Sequence, residues 1–179
     1  GQNAQATGGT ANTGGGSIAI GSNASAVNTN SMALGTSALA VGSVDGLAPA
    51  TAFGNLASAT GDGSTAFGTL TSASGRISAA FGYGASATNT NALAVGVAAQ
   101  ASGVNSTVVG PFANASATRS VAMGSAALAS NTRAISIGSF ASSTGIDAIA
   151  IGAGASASGT SSISIGTGNR VSGNSSGAI

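Results

Sequence analysis

The stretch Gly82-Tyr-Gly-Ala-Ser-Ala-Thr-Asn-Thr-Asn-Ala-Leu-Ala-Val-Gly96 decides how the whole chain is read. Before its closing glycine, Leu93 and Val95 are large and apolar while Ala94 between them is small, the period-two alternation of a strand. After Gly82 a second alternation follows, with Ala85 and Ala87 at plus three and plus five. It ends at plus seven in Asn89, a residue type that tolerates positive φ. Fourteen residues therefore hold two short strands and two tight turns.

The same glycine recurs at Gly21, Gly35, Gly54, Gly68, Gly82, Gly96, Gly110, Gly124, Gly138, Gly152 and Gly166, spaced by 14 from Gly54 onward. Gly1 joins the series, because Gly1-Gln-Asn-Ala-Gln-Ala-Thr-Gly8 reads like Gly152-Ala-Gly-Ala-Ser-Ala-Ser-Gly159. The longer intervals after Gly1 and Gly35 place insertions at residues 9–16 and 43–49. A two-strand unit cannot bury its faces alone, but stacked coils pair each strand with its counterpart in parallel at about 4.8 Å. The expected fold is an all-β solenoid, one repetitive domain over residues 1–179, of about twelve coils and roughly 55–60 Å in length.

Two columns flank each strand's face assignment. The large column, Ile20, Leu34, Phe53, Phe67, Phe81, Val95, Val109, Met123, Ile137, Ile151 and Ile165, immediately precedes the glycine. The small column, Ala19, Ala33, Ala52, Ala66, Ala80, Ala94, Val108, Ala122, Ser136, Ala150 and Ser164, comes one residue earlier. Packed sheets usually sit about 10 Å apart, too wide for Ala against Ala. The expectation is a large column inside the lumen and a small column outside, where a second copy could pack closely. The alternative puts the large column at that interface, and Ala94→Glu distinguishes the two.

Composition excludes several classes. The chain is 42% hydrophobic but only 3% aromatic and 4% charged, with 30 glycines, so a thick globular core is not expected. Two prolines and seven charges argue against a disordered chain, which is usually charged or Pro-rich. A net charge of +1 and no lysine leave no electrostatic footprint for nucleic acid or anionic membrane. No apolar run reaches the roughly 20 residues that span a bilayer, so an anchor is expected outside this segment.

At these columns the chain resembles the YadA-like head of the trimeric autotransporter adhesins, whose signature is an Asn-Ser-Val-Ala-Ile-Gly type hexapeptide. The closest copies are Asn30-Ser-Met-Ala-Leu-Gly35, Asn91-Ala-Leu-Ala-Val-Gly96 and Gly16-Ser-Ile-Ala-Ile-Gly21, while Pro49 and Arg119 replace the leading Asn in theirs. The resemblance covers essentially the whole chain. It implies a left-handed parallel β-roll and a parallel homotrimer, carried on a stalk and an outer-membrane anchor domain absent from this chain. It further implies a head exposed on the bacterial surface, attachment to host cells and extracellular matrix of the collagen, fibronectin or laminin class, and autoaggregation.

Candidate ligand-binding residues are few. The insertions, with Asp45 in the second, are loops on a rigid scaffold, where binding commonly resides; a tolerated surface decoration is the plainer reading. Arg119, Arg133 and Asp147 share one column of successive coils. They form either a basic ligand spot or a solvated ladder in which Asp147 offsets Arg133. Phe53, Phe67 and Phe81 also share a column, and a stacked aromatic run can be a binding platform; core stacking is the expectation because that column is apolar throughout.

Enzymatic and metal chemistry is not expected. Gly173-Asn-Ser-Ser-Gly177 matches a nucleophile-elbow pattern, but the chain has no histidine for a triad. Three scattered aspartates without His or Cys make a poor metal site, and no cofactor motif is complete. A left-handed β-helix acyltransferase would need a period near 18 and three faces. A non-adhesive structural or ice-binding β-solenoid is the remaining alternative; its Thr columns are irregular here, and a thermal-hysteresis assay separates it.

Overall fold

The computed structural model describes residues 1–7, 16–43 and 48–179. The described chain is all β and divides into two compact units, Gly1–Asn91 and Ala92–Ile179. In each unit a two-residue strand and a three-residue strand alternate along the sequence, as the two alternations of the repeat require, apart from the last strand, Gly177–Ala178, which has two residues.

The second unit shows the regular coil. Ile135–Ile137 pairs in parallel with Ile149–Ile151, residue 135 beside 149 and 137 beside 151. Leu128–Ala129 pairs in the same sense with Ser142–Ser143. Every step is one repeat, so like columns stack on like columns. Backbone groups in the turns follow the same rule: the Gly138 amide donates to the Met123 carbonyl at 2.8 Å and the Phe140 amide to Ser125 at 2.9 Å. Coil-to-coil hydrogen bonds thus continue from the strands into the turns, while the Ala141 and Ala148 amides close the turns within the coil on Gly138 and Gly145.

In the first unit the register passes across both insertions. Gln5 lies beside Ser25, and Leu34 beside Phe53. The extra residues are thus accommodated outside the ladder. At the base of the second insertion the Ser43 amide donates to the Ala48 carbonyl at 3.1 Å, and the Ser43 hydroxyl accepts from the Ala48 amide at 3.0 Å.

The interior reverses the expected face assignment. The small column is inside: Ala33, Ala52, Ala66 and Ala80 in the first unit, and Ala94, Val108, Ala122, Ser136, Ala150 and Ser164 in the second, are fully enclosed. Three other columns of Ala and Ser join it, at plus three and plus five and at four residues before the glycine, as in Ala155, Ala157 and Ala148. The large column faces outward. The usual sheet separation does not apply, because strands of two or three residues joined by tight turns are held at a distance that Ala against Ala fills. Each enclosed methyl contributes about 0.8 kcal/mol, and repetition makes up for the small unit.

Enclosed hydroxyls are tied to backbone carbonyls: Ser78 donates to Gly75 at 2.7 Å, Ser120 to Ala117 at 2.6 Å and Ser162 to Gly159 at 2.7 Å. The hydroxyls of Ser64 and Ser106 lie in the same column without a partner among the described residues.

Two glycine columns persist for different reasons. At Gly68 the φ angle is +134°, and a Cβ would lie 2.7 Å from the Gly82 carbonyl oxygen. At plus seven, Gly61 does not need positive φ, contrary to the sequence expectation; a Cβ there would lie 2.1 Å from the Gly75 carbonyl oxygen. The left-handed conformation sits instead two and nine residues after the repeat glycine, at Phe140 (φ 57°) and Asp147 (φ 58°), for example.

Candidate functional site: the outward columns

Because each three-residue strand sends its middle residue inward, its first and last residues point out. In the first unit these are Ile18 and Ile20, Met32 and Leu34, Thr51 and Phe53, Thr65 and Phe67, and Ala79 and Phe81. The second unit continues the pattern with Leu93 and Val95, Thr107 and Val109, Val121 and Met123, and three Ile pairs from Ile135 to Ile165. All are exposed or half-buried, and none carries a charge. The two-residue strands present a different face, with Ser25, Ser58, Ser72 and Ser86 outward in the first unit and Gln100, Asn114, Ser142 and Ser156 in the second. One sheet is thus apolar outside and the other mainly polar.

The phenylalanine column lies on the apolar face and not in the core. Phe53 and Phe67 stack with ring centroids 4.7 Å apart and planes 6° from parallel, and Phe67 and Phe81 follow at 6.4 Å and 33°. Their exposures are 40%, 49% and 37%. Apolar side chains also crowd the turn beside this face, notably Leu56 and Leu70 in one unit and Phe112 and Phe140 in the other. Unpartnered apolar surface repeated on every coil is the mark of an interaction face.

The charged column is as the sequence places it, at a turn edge of the second unit. Asp147 and Arg133 form a two-armed ion pair: Arg133 Nε donates to one carboxylate oxygen and Nη2 to the other, the latter at 2.7 Å. The hydrogen bond from Arg133 holds the Asp147 carboxyl below its ordinary range, and the bond to Asp147 raises the Arg133 guanidinium in turn. Arg119, one coil earlier, is exposed and its side chain has no partner among the described residues. Among the described residues the ladder therefore contains one satisfied pair and one unpaired guanidinium. Asp45 lies outside the described residues, as do most of the first insertion and residues 44–47 of the second.

The YadA head domain repeat family matches residues 13–43, 49–71, 73–99, 87–113, 101–127, 115–141, 129–155, 143–169 and 157–178, nearly the whole chain. The chain belongs to the YadA-like head domains of trimeric autotransporter adhesins. No curated protein matches it.

In this YadA-like head Arg119 and Arg133, two of the residues on which sequence reasoning concentrated, stand in a single turn column, and Asp45 lies outside the described residues. The outward apolar face entered that reasoning only as the alternative to a large column inside the lumen, and the structure has the alternative. A signal was present: the column four residues before the glycine, with Ser31, Ala50, Ser64 and Ser78, is small in step with the column two before it. Two small positions in phase on one strand mark that face as the confined one.

Proposed function

We propose that this chain is the head of a bacterial surface adhesin, assembled as a parallel homotrimer through the apolar face of its three-residue strands. The trimer displays the polar sheet, the turn edges and the two insertions toward host cells and matrix proteins of the collagen, fibronectin or laminin class. Its role is non-enzymatic attachment, with autoaggregation where heads of neighbouring cells meet. An anchor domain outside this segment holds it in the outer membrane.

The observation that carries the trimer is the uncharged, outward-facing pair of columns, apolar except at Thr51, Thr65 and Thr107, which a free monomer would leave in water. Membership of the YadA head family supports the adhesive role. The test is binding of the purified protein to immobilised collagen, fibronectin and laminin, with albumin as control. Each insertion is then shortened to the 14-residue period in turn. Saturable binding to a matrix protein supports the reading, and loss on shortening one insertion locates the contact. Binding no greater than to albumin across matrix proteins and host cells contradicts it.

A further inference from the structure

The outward columns of the first unit are uneven in a correlated way. Phe53, Phe67 and Phe81 occupy the last outward position of three successive three-residue strands, and the first outward position of those same strands holds Thr51, Thr65 and Ala79. The two preceding strands, Ile18–Ile20 and Met32–Leu34, carry side chains of even size at both positions. Volume added at one column is therefore removed from the other, rung by rung. A ring next to a recess on the same strand has no packing value within a single coil, because both positions face out.

In a threefold assembly each contact is heterologous, so two different parts of the surface meet. A face of uniform aliphatic columns also specifies axial register weakly: a slip of one coil sets like against like and loses only one rung of overlap. Nor does charge fix the register, since neither column contains any.

We infer that the Phe53, Phe67 and Phe81 rings of one copy seat in the Thr51, Thr65 and Ala79 recesses of the next copy and thereby lock the axial register of the homotrimer. This rests on the trimeric reading given above. Slipping by one coil drives one ring of the triplet against Met32 or Leu93 and sets the shorter Val95 or Leu34 against the recess at the other end, so overpacking and underpacking both oppose it.

The chain has no cysteine, which permits a clean register measurement. Chains carrying Met32→Cys are coexpressed with chains carrying Leu34→Cys, the in-register pair. Met32→Cys with Ile20→Cys, and Ile18→Cys with Leu34→Cys, report slips of one coil in either direction. Sedimentation establishes that the assemblies are trimers, and a short bismaleimide captures the pairs. The lock predicts at least tenfold more crosslink for the in-register pair. It also predicts that Phe53→Val, Phe67→Val and Phe81→Val together raise the slipped pairs to comparable yield. Should the triple variant fold poorly, Thr65→Phe alone fills one recess and raises the slipped pairs in the same way. Trimers in which the variants keep the single register, or in which the unmodified columns already give mixed registers, overturn the lock and leave the trimer standing. A monomer in sedimentation overturns both.

Discussion

Along the strand Thr65–Phe67, Ala66 is wholly enclosed in the coil, while Phe67, the next residue, leaves about half of its surface uncovered. The enclosed column holds Ala, Ser and one Val throughout, whereas the outward column ranges over Phe, Leu, Ile, Val and Met. The difference separates two physical constraints that alternate along one short strand. The inner column is limited by the room between two sheets tied together by tight turns. The outer column is free of that limit, and its apolar character must answer to something beyond the coil.

The sharpest way to break the comparison is to place a large charged side chain on the inner column. Ala94→Glu, aimed at a residue with no exposure, combines overpacking with burial of an unpaired carboxylate. It should destabilise the protein by more than about 4 kcal/mol, seen as loss of the cooperative thermal transition by circular dichroism. Retention of that transition would mean the column is not confined.

Gly68→Ala tests the spacing between coils instead of between sheets. The backbone there has φ +134°, and the new Cβ would stand 2.7 Å from the Gly82 carbonyl oxygen. A destabilisation of about 2–3 kcal/mol is expected in denaturant unfolding. Ser106→Ala works in the opposite direction: it removes a buried hydroxyl without a partner from a column where Ala92, Ala134 and Ala148 already stand. Stability should rise by about 1 kcal/mol.

The smallest effect belongs to the outer turn. The Arg133 hydrogen bond lowers the Asp147 pKa, so any stabilisation is present at neutral pH and is lost as the pH falls through and below the ordinary carboxylate range. The pair lies in solvent and is screened by salt. Asp147→Asn should therefore leave the thermal midpoint within error of the wild type at pH 7. A clear drop that vanishes in acid would show that this ladder matters to the fold.

The period, the two strands per coil and the coil-to-coil register were legible in the sequence because 14-residue stacking repeats the same side chain at the same place, as at Ile137 and Ile151. The charged column was legible for the same reason, since Arg133 and Asp147 are one period apart. Inside and outside were not distinguished. Alternation of Ala94 with Val95 is unchanged when the faces are exchanged, and the usual sheet separation pointed the wrong way for a coil this thin. The plus-seven glycines were misread as conformational because close backbone approach and positive φ both select glycine, and only the geometry at Gly61 separates them. The candidate site was legible only in its charged column. The apolar face stood only as the alternative because the favoured assignment put the large column in the core.

The most direct test of the account uses the neighbour of Ala94. Val95→Glu places charge on the outward column of the same strand, where the coil has room for it. The account predicts a circular dichroism spectrum and monomer fold like those of the wild type, together with a fall in sedimentation from three chain masses to one. A variant that still sediments as a trimer would contradict the assignment of the outward apolar columns to the subunit interface.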